Sequence, residues 1–186
     1  MIMKNYLLIL FLCFPIRLFC QEEKPITQGH MLIGGSFIGY YSKADGVSTT
    51  QIIATPSFGY FVVNHLAVGL AIPFEYKNQL IDNYSIGVGP FVKCYLNNGI
   101  FFSLQAAVLY QNEYTTLVEP VNYKTTSIVI SPGIGYSYFI NNNISFEGGL
   151  FYEFISSEYK SSYWGYPDHS TTTSGLQLQL GFSIFL

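Results

Sequence analysis

The chain has 186 residues, a length that fits one domain. Hydrophobic residues make up 49% of it and charged residues only 10%, which excludes a disordered protein because such a chain would expose too much apolar surface. Eight Lys and Arg against eleven Asp and Glu give a net charge of −3, and this balance argues against nucleic acid as a partner.

The first 20 residues predict a cleavable signal peptide. Lys4 provides a positive start, and residues 6–14 form an apolar core. Pro15 interrupts this apolar run, which is too short to cross a bilayer as a helix.

Cleavage after Cys20 is expected to leave residues 21–28 as a short periplasmic N-terminal segment. Lipidation of Cys20 is the alternative, although that processing prefers a small residue where Phe19 stands. The mature chain keeps six Lys against eleven acids, a net charge near −5. Its single remaining cysteine, Cys94, cannot form an intramolecular disulfide.

From about residue 30 onward, the sequence alternates with a period of two, which predicts strands and not helices. In the first predicted strand apolar residues fall on both parities, so its inward face is left open. Eight strands are predicted in all, at about 30–41, 51–61, 66–76, 85–96, 101–110, 128–138, 144–154 and 175–186.

Short and long connections alternate strictly between these strands. This order predicts an up-and-down meander with every tight turn at one end, and not a Greek key. The short turns are expected at 64–65, 97–99 and 141–143, and the long loops at 42–50, 77–83, 112–125 and 155–174.

The two faces of the strands differ in size. One face carries large apolar side chains, while the other is mainly Gly, Ser, Ala and Gln, which suits a cramped interior and not a solvated surface. A membrane barrel turns its large apolar side chains to lipid. A strand such as 66–76 is about 36 Å long and, tilted by about 40°, spans about 28 Å, enough for an apolar band of about 25 Å. Residues 29–186 are therefore predicted to be all-β and to form an eight-stranded antiparallel up-and-down transmembrane β-barrel.

The end of the chain carries the most specific motif. Gln179, Gly181, Ile184 and Leu186 match the polar-x-Gly-x-x-hydrophobic-x-hydrophobic pattern of an assembly signal, with Leu186 where an aromatic residue is usual. Residues 57–61 are similar to a common second-strand ending.

On these residues the mature chain resembles the small outer-membrane β-barrels of Gram-negative bacteria, such as outer-membrane protein X and the transmembrane domain of outer-membrane protein A, in the version found across Bacteroidota. The resemblance implies a monomer in the bacterial outer membrane with periplasmic termini and extracellular long loops. It also implies outer-membrane lipid, lipopolysaccharide and the outer-membrane assembly machinery as partners.

Parity places a charged and amide network inside the barrel. An eight-stranded barrel is filled by side chains. A plugged lumen in a protein with a structural or surface-interaction role and no catalysis is one interpretation, and a small ion or solute pore gated by the lumen charges is the other. Lys93 and Glu147 lie at similar heights above the tight turns and are predicted to form an ion pair. The predicted lumen residues are Glu75, Lys93, Gln105, Glu147, Glu153, Gln177 and Gln179.

Catalytic motifs are scarce. His30 and His65 are expected to be solvated residues at strand ends. Asp168, His169 and Ser170 form the one cluster that resembles an acid, a base and a nucleophile, and they leave a lipid-modifying enzyme (an acyl hydrolase or acyltransferase) as a third hypothesis. Turn chemistry in a solvated loop explains this cluster equally well. No cofactor or metal motif is found, so neither is predicted.

Overall fold

The computed structural model describes residues 26–44, 47–78, 82–115, 121–161 and 169–186. The predicted signal peptide, residues 1–20, lies outside these ranges. No helix within them has the length and apolarity that a membrane span requires.

The described chain forms one closed antiparallel sheet. Consecutive barrel strands pair with each other, and the first strand pairs with the last to close the barrel. The strands are β1 (Met31–Ala44), β2 (Val47–Val63), β3 (Leu66–Ala71), β4 (Phe74–Asn78), β5 (Asp82–Tyr95), β6 (Ile100–Thr115), β7 (Val121–Phe139), β8 (Ile144–Ser161) and β9 (His169–Phe185). Since β3 and β4 are two halves of one barrel strand, the predicted eight-stranded up-and-down barrel is confirmed.

Pro73 divides the third barrel strand, which was predicted to be continuous over 66–76. Proline has no N–H to give to the ladder. The neighbouring groups still pair: the Ile72 N–H donates to the Pro56 carbonyl at 2.9 Å, and the Gly87 N–H donates to the Pro73 carbonyl at 2.8 Å. Both halves keep one register against β2 and β5, so the wall continues through the break.

The long connections are shorter than predicted, because most of each predicted loop is strand. The β1–β2 hairpin, for example, pairs as far as Ala44 and Val47, inside the loop expected at 42–50. Hydrophobic alternation ends at the edge of the apolar band, whereas backbone pairing continues through Ser, Thr and Tyr residues, of which Thr and Tyr favour strands. The expected tight turns are present at the other end, where His65 and Gly99 adopt φ of 71° and 94°.

The large side chains face outward, as the inverted faces predict. On β9, the leucines at 176, 178 and 180 are 60–68% exposed, while Ser183 is buried. Two residues show which face of the first strand points inward. Leu32 is 2% exposed and points inward, whereas Phe37 is 55% exposed and points outward. The outer surface is therefore an apolar belt around a narrow interior.

Aromatic rings pack across the interior at the tight-turn end. The ring centroids of Phe61 and Phe185 are 6.1 Å apart, and those of Tyr95 and Phe101 are 5.9 Å apart. Ile26, which precedes β1, is buried with them, and its carbonyl accepts a hydrogen bond from the His65 N–H at 2.8 Å. We call the following residues the aromatic cluster: Phe61, Tyr95, Phe101 and Phe185.

Candidate functional site in the barrel lumen

Glu147 on β8 is the centre of a hydrogen-bonded group directly above the aromatic cluster. Lys93 Nζ on β5 donates to Glu147 Oε2 at 2.5 Å. The hydroxyls of Tyr95 and Ser137 donate to Glu147 Oε1 at 3.0 and 2.8 Å. These four residues have odd numbers on β5, β7 and β8, and the alternation of the strands turns odd-numbered side chains of these strands inward. The carboxylate thus has three donors, two from β5 across the lumen and one from the neighbouring strand β7.

The ion pair is shielded from water. The side chains of Lys93 and Glu147 are 13% and 9% exposed. The Lys93 ammonium also lies 4.2 Å from the centroid of the Phe101 ring, within the range of a cation–π contact. A buried pair is tolerated only when further hydrogen bonds satisfy its atoms. Tyr95 and Ser137 meet this condition for the carboxylate.

A second polar group lies nearer the long hairpins and contains Glu75. Gln51 Nε2 donates to Glu75 Oε1 at 2.7 Å, and Ser85 Oγ donates to Glu75 Oε2 at 3.4 Å. In the hydrogen bonds observed, both donors to this carboxylate are therefore uncharged.

Glu153 has a matching arrangement. Gln177 Nε2 donates to Glu153 Oε2 at 2.5 Å, and Ser131 Oγ donates to Glu153 Oε1 at 3.2 Å. Glu75 and Glu153 line the same cavity, and no described residue that lines it carries a positive charge. The level of the lumen above the ion pair is therefore acidic.

Described residues line two small cavities inside the barrel. The lower one, of about 60 Å³, adjoins Lys93 and Glu147. The upper one, of about 120 Å³, adjoins Glu75 and Glu153. Gln105 and Gln179, together with Thr55, line both cavities and so lie between them. All seven lumen residues chosen by parity consequently point into the interior.

Several donors of the network were missed by the sequence analysis. Parity assigns Tyr95 and Ser137 to the inner face, but nothing in their spacing indicates Glu147 as their acceptor. The same holds for Gln51, which bonds across the β2–β4 pair, and for Ser131 beside Glu153. A register between the strands would have indicated the contacts of Gln51, Ser131 and Ser137, because these partners lie on neighbouring strands at similar heights. Tyr95 reaches Glu147 across the lumen, which a register between neighbouring strands does not show.

The four residues of the predicted assembly signal lie on the last strand or directly after it. A Cβ atom at Gly181 would overlap the carbonyl oxygen of Gly35 on β1. Leu186 is 57% exposed, and its backbone exchanges two hydrogen bonds with Met31 at 2.8 and 3.0 Å. Gln179 points into the lumen, and Ile184 pairs with Ile33 where β9 meets β1. Recognition by the assembly machinery stays a prediction.

The histidines make local contacts. His30 Nδ1 is 2.9 Å from Thr27 Oγ1, and His65 Nε2 is 2.6 Å from Asn97 Oδ1. Asp168 and the side chain of His169 lie outside the described part of the chain, so the geometry of the cluster proposed for a lipid-modifying enzyme is not described. Within the described residues, no group of three or more His, Cys, Asp or Glu could hold a metal ion.

Known structures share the fold. No protein-family model and no curated protein sequence matches the chain. The solid-state NMR structure of the outer-membrane protein AlkL in lipid bilayers is 11% identical, covers 90% of this chain and 95% of that chain, and has a TM-score of 0.58. The β-domain of the Bordetella autotransporter BrkA is 11% identical, with 83% and 70% covered and a TM-score of 0.51. Neisserial surface protein A is 17% identical, with 84% and 97% covered and a TM-score of 0.49. The AlkL and BrkA structures show that the chain is similar in fold to outer-membrane β-barrels.

Proposed function

We propose that the chain is an integral protein of the bacterial outer membrane with a structural or surface-interaction role, a lumen plugged by its own side chains and no catalysis. The apolar belt supports a membrane location, since exposed leucines and aromatic residues would aggregate in water. A relationship to the outer-membrane protein X and A type of Bacteroidota stays a prediction.

One observation carries the closed lumen: the aromatic cluster, whose four side chains are no more than 2% exposed. The buried ion pair of Lys93 and Glu147 lies directly above these rings, and Ile26 packs with them. An ion crossing this level would have to displace close-packed rings, which is costly in a tightly packed interior.

Conductance tests this proposal against the alternative of a small pore. Purified protein refolded into planar bilayers should show no steady unit conductance, and Lys93→Met should show none either. If the ion pair were a gate, Lys93→Met would open the pore. The variant Phe61→Ala/Phe185→Ala, which removes two rings of the aromatic cluster, is the positive control. A steady conductance of the unaltered barrel would refute the plugged lumen.

Location and orientation need a separate experiment. We expect the protein to fractionate with the outer membrane and to migrate differently on a gel before and after heating. In a Cys94→Ser background, Thr171→Cys near the long hairpins should react with an impermeant maleimide on intact cells, whereas Asn142→Cys in a tight turn should not. The reverse pattern would place the termini outside.

A lipid-modifying activity remains the least supported candidate. It depends on Asp168, His169 and Ser170, which follow one another in sequence and would need to converge in space. Incubation of the refolded protein with labelled lipopolysaccharide should produce neither loss nor gain of acyl chains. Turnover that disappears in His169→Ala would contradict the proposal of no catalysis.

A further inference from the structure

The seam between the first and last strands, β1 and β9, closes the barrel through pairing over only part of its length. Pairing between β1 and β9 runs from Leu32 and Phe185 to Phe37 and Leu180 and ends there. Both strands continue beyond that point, and each stays fully paired with its other neighbour, β2 or β8. The two edges therefore separate in the half of the barrel nearer the long hairpins.

This separation begins within the apolar belt. Leu176 and Leu178, which lie beyond the last pair, are 68% and 62% exposed, so the outward face of β9 is still apolar where the ladder has ended. An open sheet edge in hydrocarbon is unfavourable, because its backbone groups find no water there. It is tolerated only where the edge is buried in protein or lines a water-filled cavity.

A groove of about 600 Å³ occupies the separated seam. Its apolar walls include Phe37 and Tyr40 of β1 and three leucines of β9. Its volume falls in the range of about 300–1,000 Å³ that is typical of small-molecule pockets. The groove also reaches inward, since it shares four lining residues with the upper cavity of the lumen: Ile38, Gln51, Ile53 and Gln177.

The inner end of this passage has more hydrogen-bond acceptors than donors. The amide nitrogens of Gln51 and Gln177 already donate to Glu75 and Glu153. Gln177 Oε1 is shielded from solvent and has no hydrogen-bond partner. Two carboxylates and this oxygen favour a group that brings both hydrogen-bond donors and positive charge.

We propose that the β1–β9 groove binds an amphiphile with an apolar chain and a cationic amine head, which enters sideways from the membrane. The chain lies against Phe37, Leu178 and Leu180. The ammonium group donates to Gln177 Oε1 and balances the charges of Glu75 and Glu153. This site lies above the aromatic cluster, so it does not depend on whether the barrel conducts.

Photolabelling tests the site. The full mature barrel, refolded into phosphatidylcholine vesicles, is irradiated with dodecylamine that carries a diazirine at the end of its chain. Mass spectrometry should find the label in residues 37–40 and 176–180, and excess dodecylamine should displace it. An uncharged dodecanol and an anionic dodecyl sulfate should compete at least about tenfold less well, because they lack the charge-assisted contacts.

Two sets of variants separate head-group binding from lateral entry. Glu75→Gln/Glu153→Gln should reduce labelling of the groove about tenfold, whereas Glu158→Gln, an exposed control on β8, should leave it unchanged. Continued pairing beyond Phe37 and Leu180 would bring residues 39 and 178 opposite each other. In a Cys94→Ser background, a disulfide in Gly39→Cys/Leu178→Cys should therefore close the seam and abolish labelling. Reduction of this disulfide should restore labelling.

Several outcomes would overturn the proposal. Labelling that persists in the oxidised barrel would exclude lateral entry, and equal competition by the anionic amphiphile would exclude a cationic head. If the disulfide does not form, the charge variants decide: unchanged labelling in Glu75→Gln/Glu153→Gln refutes the site. Cross-linking of two barrels through β1 and β9 in probe-free vesicles would show that the groove is an interface between copies. Heat-modifiable migration of every variant establishes that it has folded.

Discussion

The buried pair of Lys93 and Glu147 provides the sharpest test of what holds the interior together. Lys93→Met removes the only charged donor to Glu147 among the described residues and leaves the carboxylate with the hydroxyls of Tyr95 and Ser137. Because the Glu147 side chain is only 9% exposed, bulk water does not replace the lost ammonium, and only water held in the adjoining cavity of about 60 Å³ can reach the carboxylate. We expect the free energy of unfolding to fall by about 3–5 kcal/mol, the usual cost of leaving one partner of a buried pair uncompensated.

A second substitution should restore part of this loss. In Lys93→Met/Glu147→Gln the buried negative charge is gone, and the new side-chain carbonyl can still accept from Tyr95 and Ser137. The double-mutant cycle should give a coupling of about 1–3 kcal/mol. Urea unfolding of the barrel in detergent micelles, followed by far-ultraviolet circular dichroism and by gel mobility, measures all four corners of the cycle.

An exposed lysine away from the ion pair provides the control. Lys124→Met removes an exposed lysine on β7 and should change the free energy of unfolding by no more than about 0.5 kcal/mol. If the double mutant is destabilised by the sum of the two single effects within about 0.5 kcal/mol, the two side chains do not interact in the folded barrel.

Three further predictions concern folding and assembly. Gly89→Ala should lower the free energy of unfolding by about 1–3 kcal/mol, because the added Cβ overlaps the carbonyl oxygen of Ala106 on the neighbouring strand. Gly175→Ala should have little effect, because no atom lies within 4 Å of its added Cβ. Equal urea midpoints of the two variants would contradict this packing. Leu186→Ala should lower the yield of assembled barrel in cells, Leu186→Phe should raise it, and both should refold normally in detergent. Gly181→Asp should fail to form the barrel both in cells and in detergent, since its side chain overlaps the backbone of β1. A refolding defect of Leu186→Ala in detergent would show that this substitution alters packing and not signal recognition.

The sequence by itself determined the strands, their direction and the two faces of the wall. Side chains alternate with a period of two, so an apolar run on one parity fixes which face meets lipid. Tight turns fix where consecutive strands restart, and counting from them brings Lys93 and Glu147 to similar heights. Their side chains are in contact in the structure. Where both parities carried apolar residues, as around Leu32 and Phe37, the pattern did not determine which face of the strand points inward.

Only the tertiary structure decided the contacts that depend on register and on closure. The partners of Glu75 and Glu153 come from neighbouring strands, and a shift of one residue would reverse every face involved. The burial of Ile26 with the aromatic cluster involves a segment that has no alternation of its own. The gap between β1 and β9 is the least visible in the sequence, because these strands are far apart along the chain and each is well formed. Their pairing beyond Phe37 and Leu180 depends on how the whole sheet curves to meet itself.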